Sequence, residues 1–171
     1  RFSIELDKIP YDSKFIFEEI GYNFLPTEIS AAFGLVQLKK LKKFSEIRQK
    51  NFDNLYSFFS NSKFFKVPKQ LPQVKTSWLA FPLTITSNAP FSRMELVKYL
   101  ETNNIQTRPI FTGNVLRQPA FKKINYKNIG KEFSVANNIM ENSFLIGCNH
   151  GLNEKHMEKI KQSFTSFLDR F

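Results

Sequence analysis

The sequence predicts an α+β domain, and three patterns carry that prediction. A capped segment beginning at Thr27 bears apolar residues on more than one face. Three short apolar segments, 77–86, 105–111 and 144–147, have strand character. Amphipathic helices fall between and after them. Of the 171 residues 42% are hydrophobic and 20 are Phe, which suffices for one core.

Residues 1–26 have few periodic apolar positions and contain Pro10, Asp12 and Gly21, so they are expected to form an irregular or short-stranded segment that needs a surface to lie on. Pro26 precedes Thr27, a good N-cap, and Glu28 puts a negative charge where the helix dipole favours one. Ile29, Ala31, Ala32, Phe33, Leu35, Val36, Leu38 and Leu41 then cover more than one face. This predicts a helix packed both on its own domain and on a neighbour, with Ala31, Ala32 and Gly34 permitting close approach. From Phe44 the pattern narrows to one stripe, Phe44, Ile47, Phe52, Leu55, Tyr56 and Phe59, that of an ordinary surface helix ended by Asn61 and Ser62. Residues 27–62 therefore read as connecting helices and 63–171 as a small α+β domain.

Within that domain, Pro68 and Pro72 make 63–74 a connector with room for one short strand. Residues 77–86 read as a strand that Pro82 restricts to a sheet edge or a bulge. Ser92 caps a helix through about Glu101 whose buried side is Met94, Leu96, Val97 and Leu100. A strand at 105–111, a polar loop at 113–130, a helix near 132–140 and a strand at 144–147 follow. The last helix, from about Asn153 to Phe171, alternates Met157, Ile160, Phe164 and Phe167 with Lys and Gln.

Composition narrows the function. Runs such as Trp78-Leu79-Ala80-Phe81-Pro82-Leu83 are too short to span a bilayer and Arg1–Asp7 lacks signal-peptide architecture, so no membrane partner and a cytoplasmic location are expected. The chain opens without Met in a mixed polar and apolar stretch and reads as a piece of a longer polypeptide. A net charge of +10 raises the question of nucleic acid, but the lysines are scattered. The densest group, Lys39, Lys40, Lys42, Lys43, Arg48 and Lys50, lies where a helix turns its solvated face outward, which favours no nucleic-acid partner and leaves affinity for a diphosphate open. The single Cys148 excludes an internal disulfide and a cysteine-only metal site. His150 and His156 have no obvious ligand partners, so no catalytic residue and no metal site is assigned.

The segment Thr107-Arg108-Pro109-Ile110-Phe111-Thr112-Gly113-Asn114-Val115-Leu116-Arg117-Gln118-Pro119 places two guanidinium groups, amides and an aromatic ring around Gly113 at the end of a strand. Arg108 and Arg117 offer forked donors that suit a diphosphate, and Asn114 can pair with sugar hydroxyls beside Phe111. The plain structural alternative has the two arginines pairing with surface carboxylates and Phe111 entering the core. Residue types alone leave both readings open.

Gly21-Tyr22-Asn23-Phe24-Leu25-Pro26-Thr27-Glu28-Ile29-Ser30-Ala31-Ala32, with Ser77–Pro82, the 107–121 loop and Phe144-Leu145-Ile146-Gly147 followed by Gly151-Leu152, resembles the DegT/DnrJ/EryC1/StrS family of pyridoxal-phosphate enzymes that act on nucleotide-linked sugars. The likeness covers essentially the whole chain and is strongest to the 4-keto-6-deoxyhexose 3-dehydratases, those of CDP-linked sugars first. Phe111–Pro119 is its most specific part. The resemblance implies the C-terminal small domain of a fold type I PLP-dependent transferase, with a connecting helix and an irregular inter-subunit segment before it. It implies pyridoxamine or pyridoxal 5'-phosphate as cofactor, a homodimer partner, a missing N-terminal cofactor domain and a nucleotide-diphosphate sugar as substrate.

In these dehydratases a His stands where the aminotransferases keep their Schiff-base Lys, upstream of anything in this chain. In the iron–sulfur members the [2Fe-2S] cysteines also precede a segment like Arg1-Phe2. By the same resemblance Asn23 would reach across the dimer to the cofactor phosphate, its amide donating to an oxygen; the alternative is an Asx turn at the helix entry. The sequence departs from the family at Leu25, where many sugar aminotransferases carry Arg, so contacts made by that Arg are absent. The implied function is C3 deoxygenation for 3,6-dideoxyhexose synthesis by the parent enzyme, with this piece inactive alone. The alternatives are a nucleotide-sugar aminotransferase and, from another class, a non-catalytic basic binding module.

Overall fold

A computed structural model describes residues 4–6, 9–11, 20–22, 24–127 and 133–171. The chain divides into two compact units, 1–39 and 40–171. In the first, strands β1 (Ile4–Leu6) and β2 (Ile9–Tyr11) pair antiparallel, Ile4 opposite Tyr11 and Leu6 opposite Ile9. Helix α1 (Glu28–Phe59) follows. Thr27 caps it, its hydroxyl oxygen accepting the Ser30 N–H at 3.3 Å.

The apolar residues at the start of α1 are uncovered: Ile29 is 83% exposed, Phe33 68% and Leu38 64%. Packing of this segment on its own domain, which the sequence predicts, is therefore not found, and burial along α1 begins at Asn51 and Phe52. Among the described residues of this unit, two three-residue strands bring little surface to a helix that is apolar on several faces. The connecting helices also prove to be one. No Gly or Pro lies between Gly34 and Phe59, so a shift of the apolar stripe leaves the hydrogen-bond ladder intact.

The second unit is built on a four-stranded antiparallel sheet of order β3-β4-β6-β5, formed by Phe65–Lys66, Ala80–Ile85, Ser143–Gly147 and Thr107–Pro109. Phe81, Leu83 and Ile85 alternate onto one face with Phe144 and Ile146. They pack there against Phe52, Leu55 and Phe59 of α1, Leu96 and Leu100 of α2 (Arg93–Thr102) and Phe164 of α4 (Glu154–Leu168). The Phe59 ring meets Phe164 edge-on at 4.7 Å and Phe65 edge-on at 5.4 Å, pairs worth roughly 0.5–1.5 kcal/mol each beyond their buried area.

Pro82 lies in an internal strand, which the edge expectation did not anticipate, yet the ladder explains it. The Cys148 N–H donates to Leu79 O at 3.1 Å, so the odd-numbered residues of β4 make the hydrogen-bonded pairs with β6. Pro82 turns its nitrogen the other way, toward β3, whose ladder stops at Lys66 opposite Thr84. Continuing that register would set Pro68 against Pro82. β4 is flanked on both sides at Thr84 and is an edge at Pro82.

Helix termini follow their local signals. Ser92 and Glu95 form a reciprocal capping box, and Asn153 and His156 form another, His156 Nδ1 accepting the Asn153 N–H at 3.1 Å. Met94, expected on the buried side of α2, is exposed, because it stands two residues from Leu96 and hence across the helix. Helix α3 (Ser134–Asn142) occupies the predicted place before β6, and two short 3₁₀ turns, Val115–Arg117 and Pro119–Phe121, lie in the polar loop. Among the described residues no helix is long and apolar enough to cross a membrane.

Candidate functional site

Of the sequence-predicted site residues, Asn23 lies outside the described residues. Arg108 stands at the middle of β5, an edge strand paired through Arg108 opposite Leu145. Among the described residues its guanidinium makes one hydrogen bond, a long one to the adjacent Thr107 carbonyl, and no carboxylate forms an ion pair with it. Glu101 is occupied, its Oε1 accepting both the N–H and the hydroxyl of Thr107. Those bonds, the side-chain one foremost, hold the Glu101 carboxyl below its ordinary range, with a smaller contribution from Arg108.

Arg108 borders an open cleft of about 490 Å³ between β5, β6 and α4. Leu79, Leu145, Leu152 and Ile160 supply apolar walls, and His156 and Lys159, one helical turn apart on α4, face it from the other side. None of Phe111, Asn114 and Arg117 lines it. The four candidates thus divide into one residue at a cleft and three in a loop. The sequence offers His156 no obvious ligand partner and does not single out Lys159. Their i, i+3 spacing beside Leu152 and Ile160 was the only local sign.

The loop is held in a specific shape. Phe111 is 88% exposed and adopts φ 44°, a left-handed conformation that costs a bulky residue roughly 1–3 kcal/mol. It does not enter the core. Gly113, at φ 61°, sits so close to α3 that a Cβ there would lie 2.5 Å from Met140 Cβ. Asn114 is buried, its Oδ1 accepting the Leu116 N–H and its Nδ2 donating to Asn137 at 2.8 Å. Its amide is therefore engaged in shaping the turn. Arg117 pairs with Glu141 at 2.9 Å on the surface, and Gln118 donates to Thr112 O at 3.0 Å. The loop's polar groups fix its course and leave Phe111 presented to solvent.

A second cleft of about 680 Å³ adjoins the turn after β6. Lys50 and Glu154 pair across its margin at 2.9 Å, and Asn51 donates to the carbonyls of Asn149 and Leu152. His150 lies flat on Phe44, and Arg48 donates to its Nδ1. The imidazole is thus an acceptor in a structural network, and among the described residues it is hydrogen-bonded to no carboxylate or nucleophile. Cys148 is fully buried. Burial, and secondarily Asp53, pushes its thiol up to about 12. Among the described residues no group of three or more His, Cys, Asp or Glu could hold a metal ion.

Comparison with known proteins matches residues 6–165 to the DegT/DnrJ/EryC1/StrS aminotransferase family. The chain is 35% identical to the lipopolysaccharide biosynthesis protein RfbH of Salmonella typhimurium, over 98% of this chain and 39% of that protein. It is 32% identical to the dTDP-4-dehydro-2,6-dideoxy-D-glucose 3-dehydratase of Saccharopolyspora spinosa, over 98% of this chain and 37% of that one. The solved GDP-4-keto-6-deoxy-D-mannose-3-dehydratase of E. coli with bound hydrated PLP superposes with a TM-score of 0.76 at 28% identity, covering 88% of this chain and 38% of that structure. The chain spans less than two-fifths of the length of these relatives.

Proposed function

We propose, from the premise that this chain belongs to the DegT/DnrJ/EryC1/StrS aminotransferase family, that it is the C-terminal portion of a PLP- or PMP-dependent nucleotide-sugar 3-dehydratase. Its α+β architecture is that of the C-terminal part of fold type I PLP-dependent enzymes. The observation that carries the reading is similarity to a 3-dehydratase over 98% of the chain, joined to a PLP-bound 3-dehydratase structure of the same fold. The parent would remove the C3 hydroxyl of a nucleotide-linked 4-keto-6-deoxy sugar in the cytoplasm, as a homodimer, toward a dideoxyhexose of cell-surface polysaccharide. The likeness to RfbH supports that setting.

The residues of this chain fit a completing role. The described clefts carry no carboxylate free to meet a pyridine nitrogen, Glu154 being paired with Lys50. The cofactor, which supplies the electron sink for loss of the hydroxyl, is therefore assigned to the N-terminal cofactor domain. Asn23 would contribute one amide donor to the cofactor phosphate of the opposite subunit. Phe111, presented by a loop that Asn114 and Arg117 hold in place, would lie against the bound sugar nucleotide, and Arg108 would supply its forked donors to the same substrate. The segment 1–26 is assigned to the inter-subunit region, 27–62 to the connection and 63–171 to the small domain.

The test is to supply the full-length parent with CDP-, GDP- and dTDP-linked 4-keto-6-deoxy sugars and determine the product. Loss of the C3 hydroxyl is the expected result. A product with an amino group in place of the ketone would replace this reading with the aminotransferase one, which the family's description favours.

A further inference from the structure

We propose that Asn137 of α3 is a positioning residue: it holds the loop that presents Phe111, and so sets how strongly the parent binds its sugar nucleotide without itself touching that ligand. The proposal rests on the reading above in one respect, that Phe111 lies against the substrate. Residues 113–117 of the loop meet α3 at three points. Gly113 abuts Met140, Asn114 Nδ2 donates to Asn137 Oδ1 at 2.8 Å, and Arg117 pairs with Glu141 at 2.9 Å. Positions 137, 140 and 141 follow the i, i+3, i+4 spacing, so one face of α3 serves all three contacts. The end of that face is itself tethered, Arg93 of α2 donating to the Glu141 carbonyl at 2.8 Å.

The three contacts are unequal. Arg117 and Glu141 are both about half exposed, and ion pairs in water contribute little. Met140 acts by shape, leaving room only for glycine at position 113. Asn137 instead meets Asn114, a buried polar side chain of the loop. Asn114 also accepts the Leu116 N–H on Oδ1 and so caps the turn Val115–Arg117, which fixes its amide at both ends. Without Asn137 the Nδ2 donor loses its partner, the amide is free to rotate and the cap weakens. Three residues upstream, Phe111 combines a left-handed backbone with an almost fully exposed ring. Such a conformation persists at a bulky residue only where the surroundings impose it, and the face of α3 supplies those surroundings.

The experiment uses the full-length holoenzyme with CDP-, GDP- and dTDP-linked 6-deoxyhexoses, which lack the 4-keto group and so bind without turnover, and reads dissociation constants by calorimetry. Phe111→Ala should weaken binding of the preferred sugar nucleotide about tenfold, the scale of a lost aromatic stacking contact. Asn137→Ala should weaken it about fivefold, and Asn137→Asp, which keeps the oxygen that accepts from Asn114, should restore wild-type affinity. Asn138→Ala removes the same group from an exposed position of α3, where it bonds Asn142, and should leave binding unchanged. The deciding variant is Phe111→Ala with Asn137→Ala, which should bind like Phe111→Ala alone, because Asn137 acts through that ring. With the keto substrate, KM should follow these changes while kcat stays within about twofold. If Asn137→Ala fails to fold, Asn137→Ser, whose hydroxyl falls short of Asn114, takes its place. Additive losses in the double variant, no rescue by Asn137→Asp, or unchanged binding by Phe111→Ala would each overturn the proposal. Since binding is read without turnover, an amino-sugar product from the parent would replace the reaction assigned above and leave this coupling intact.

Discussion

Arg48 donates through Nε and Nη2 to a single acceptor, Nδ1 of His150, at 3.3 and 3.2 Å, across 102 positions of sequence. The imidazole that receives both donors lies 3.8 Å from the Phe44 ring, centroid to centroid. Arg48 also donates to Ser77 at 3.1 Å, so one side chain of α1 ties together the entry to β4 and the turn after β6.

His150→Ala should therefore destabilise the chain by about 1–2 kcal/mol, from the lost stacking and the stranded guanidinium. Arg48→Ala should cost a similar amount, and the double variant less than the sum. Urea unfolding of the three variants checks this. Additive losses would mean that the two residues act separately.

Phe111 and Gly113 should respond in opposite ways. Phe111→Gly and Phe111→Ala both delete the exposed ring, but only glycine relieves the left-handed strain, so the glycine variant should be the more stable by about 1 kcal/mol. Gly113→Ala should lose about 1–3 kcal/mol or more, because its Cβ would collide with Met140 and its φ is again left-handed. Thermal melts rank the three, and a Phe111→Gly variant less stable than Phe111→Ala would disprove the strain.

Acid should weaken the α2–β5 connection through Glu101. Its carboxyl is held below the ordinary value of 4.5 by the two bonds from Thr107. A folded-state value below the unfolded one makes the stabilising contribution complete above the unfolded value, and it fades as pH falls through the folded one. Glu101→Gln should flatten the loss of stability below pH 4.5, measured as urea midpoint against pH. An unchanged slope would assign the acid sensitivity elsewhere, Glu95 with its Ser92 bonds being next.

Cys148 should be inert in the folded chain. With its thiol pushed up to about 12, only about one molecule in ten thousand carries the thiolate at pH 8, and the side chain is fully buried besides. A thiol reagent should therefore modify it at a rate that tracks global unfolding and rises with urea. Fast labelling without denaturant would contradict the burial.

Signals that act within one turn of chain were readable before the structure. Ser92 with Glu95 three residues on is a capping box written in the sequence, and Asn153 marks the start of α4 equally well. The stripe Met157, Ile160, Phe164 and Phe167 is buried as its spacing predicts. What escaped depends on contacts across the fold. Pro82 is tolerated inside the sheet because β3 stops two residues short of it, and Asn114 is a buried structural amide because Asn137 of α3 comes to meet it. Residue type alone suggested a sugar ligand for Asn114. The basic cleft was invisible for the same reason, since Arg108 and Lys159 are 51 positions apart and are brought together only by folding.

The prolines at the sheet margins bear on how this chain would behave at high concentration. At one side Pro82 directs a nitrogen without a proton toward the unfilled part of the ladder, with Pro68 next in register; at the other, the three-residue β5 ends in Pro109. Prolines and very short edge strands disfavour the addition of a further strand at either rim. The uncovered apolar flank of α1, with Ile29, Phe33 and Leu38, has no such guard. Self-association through the second unit's sheet is therefore disfavoured, and the expected route is helix against helix, giving reversible, helix-rich clusters that dissolve on dilution.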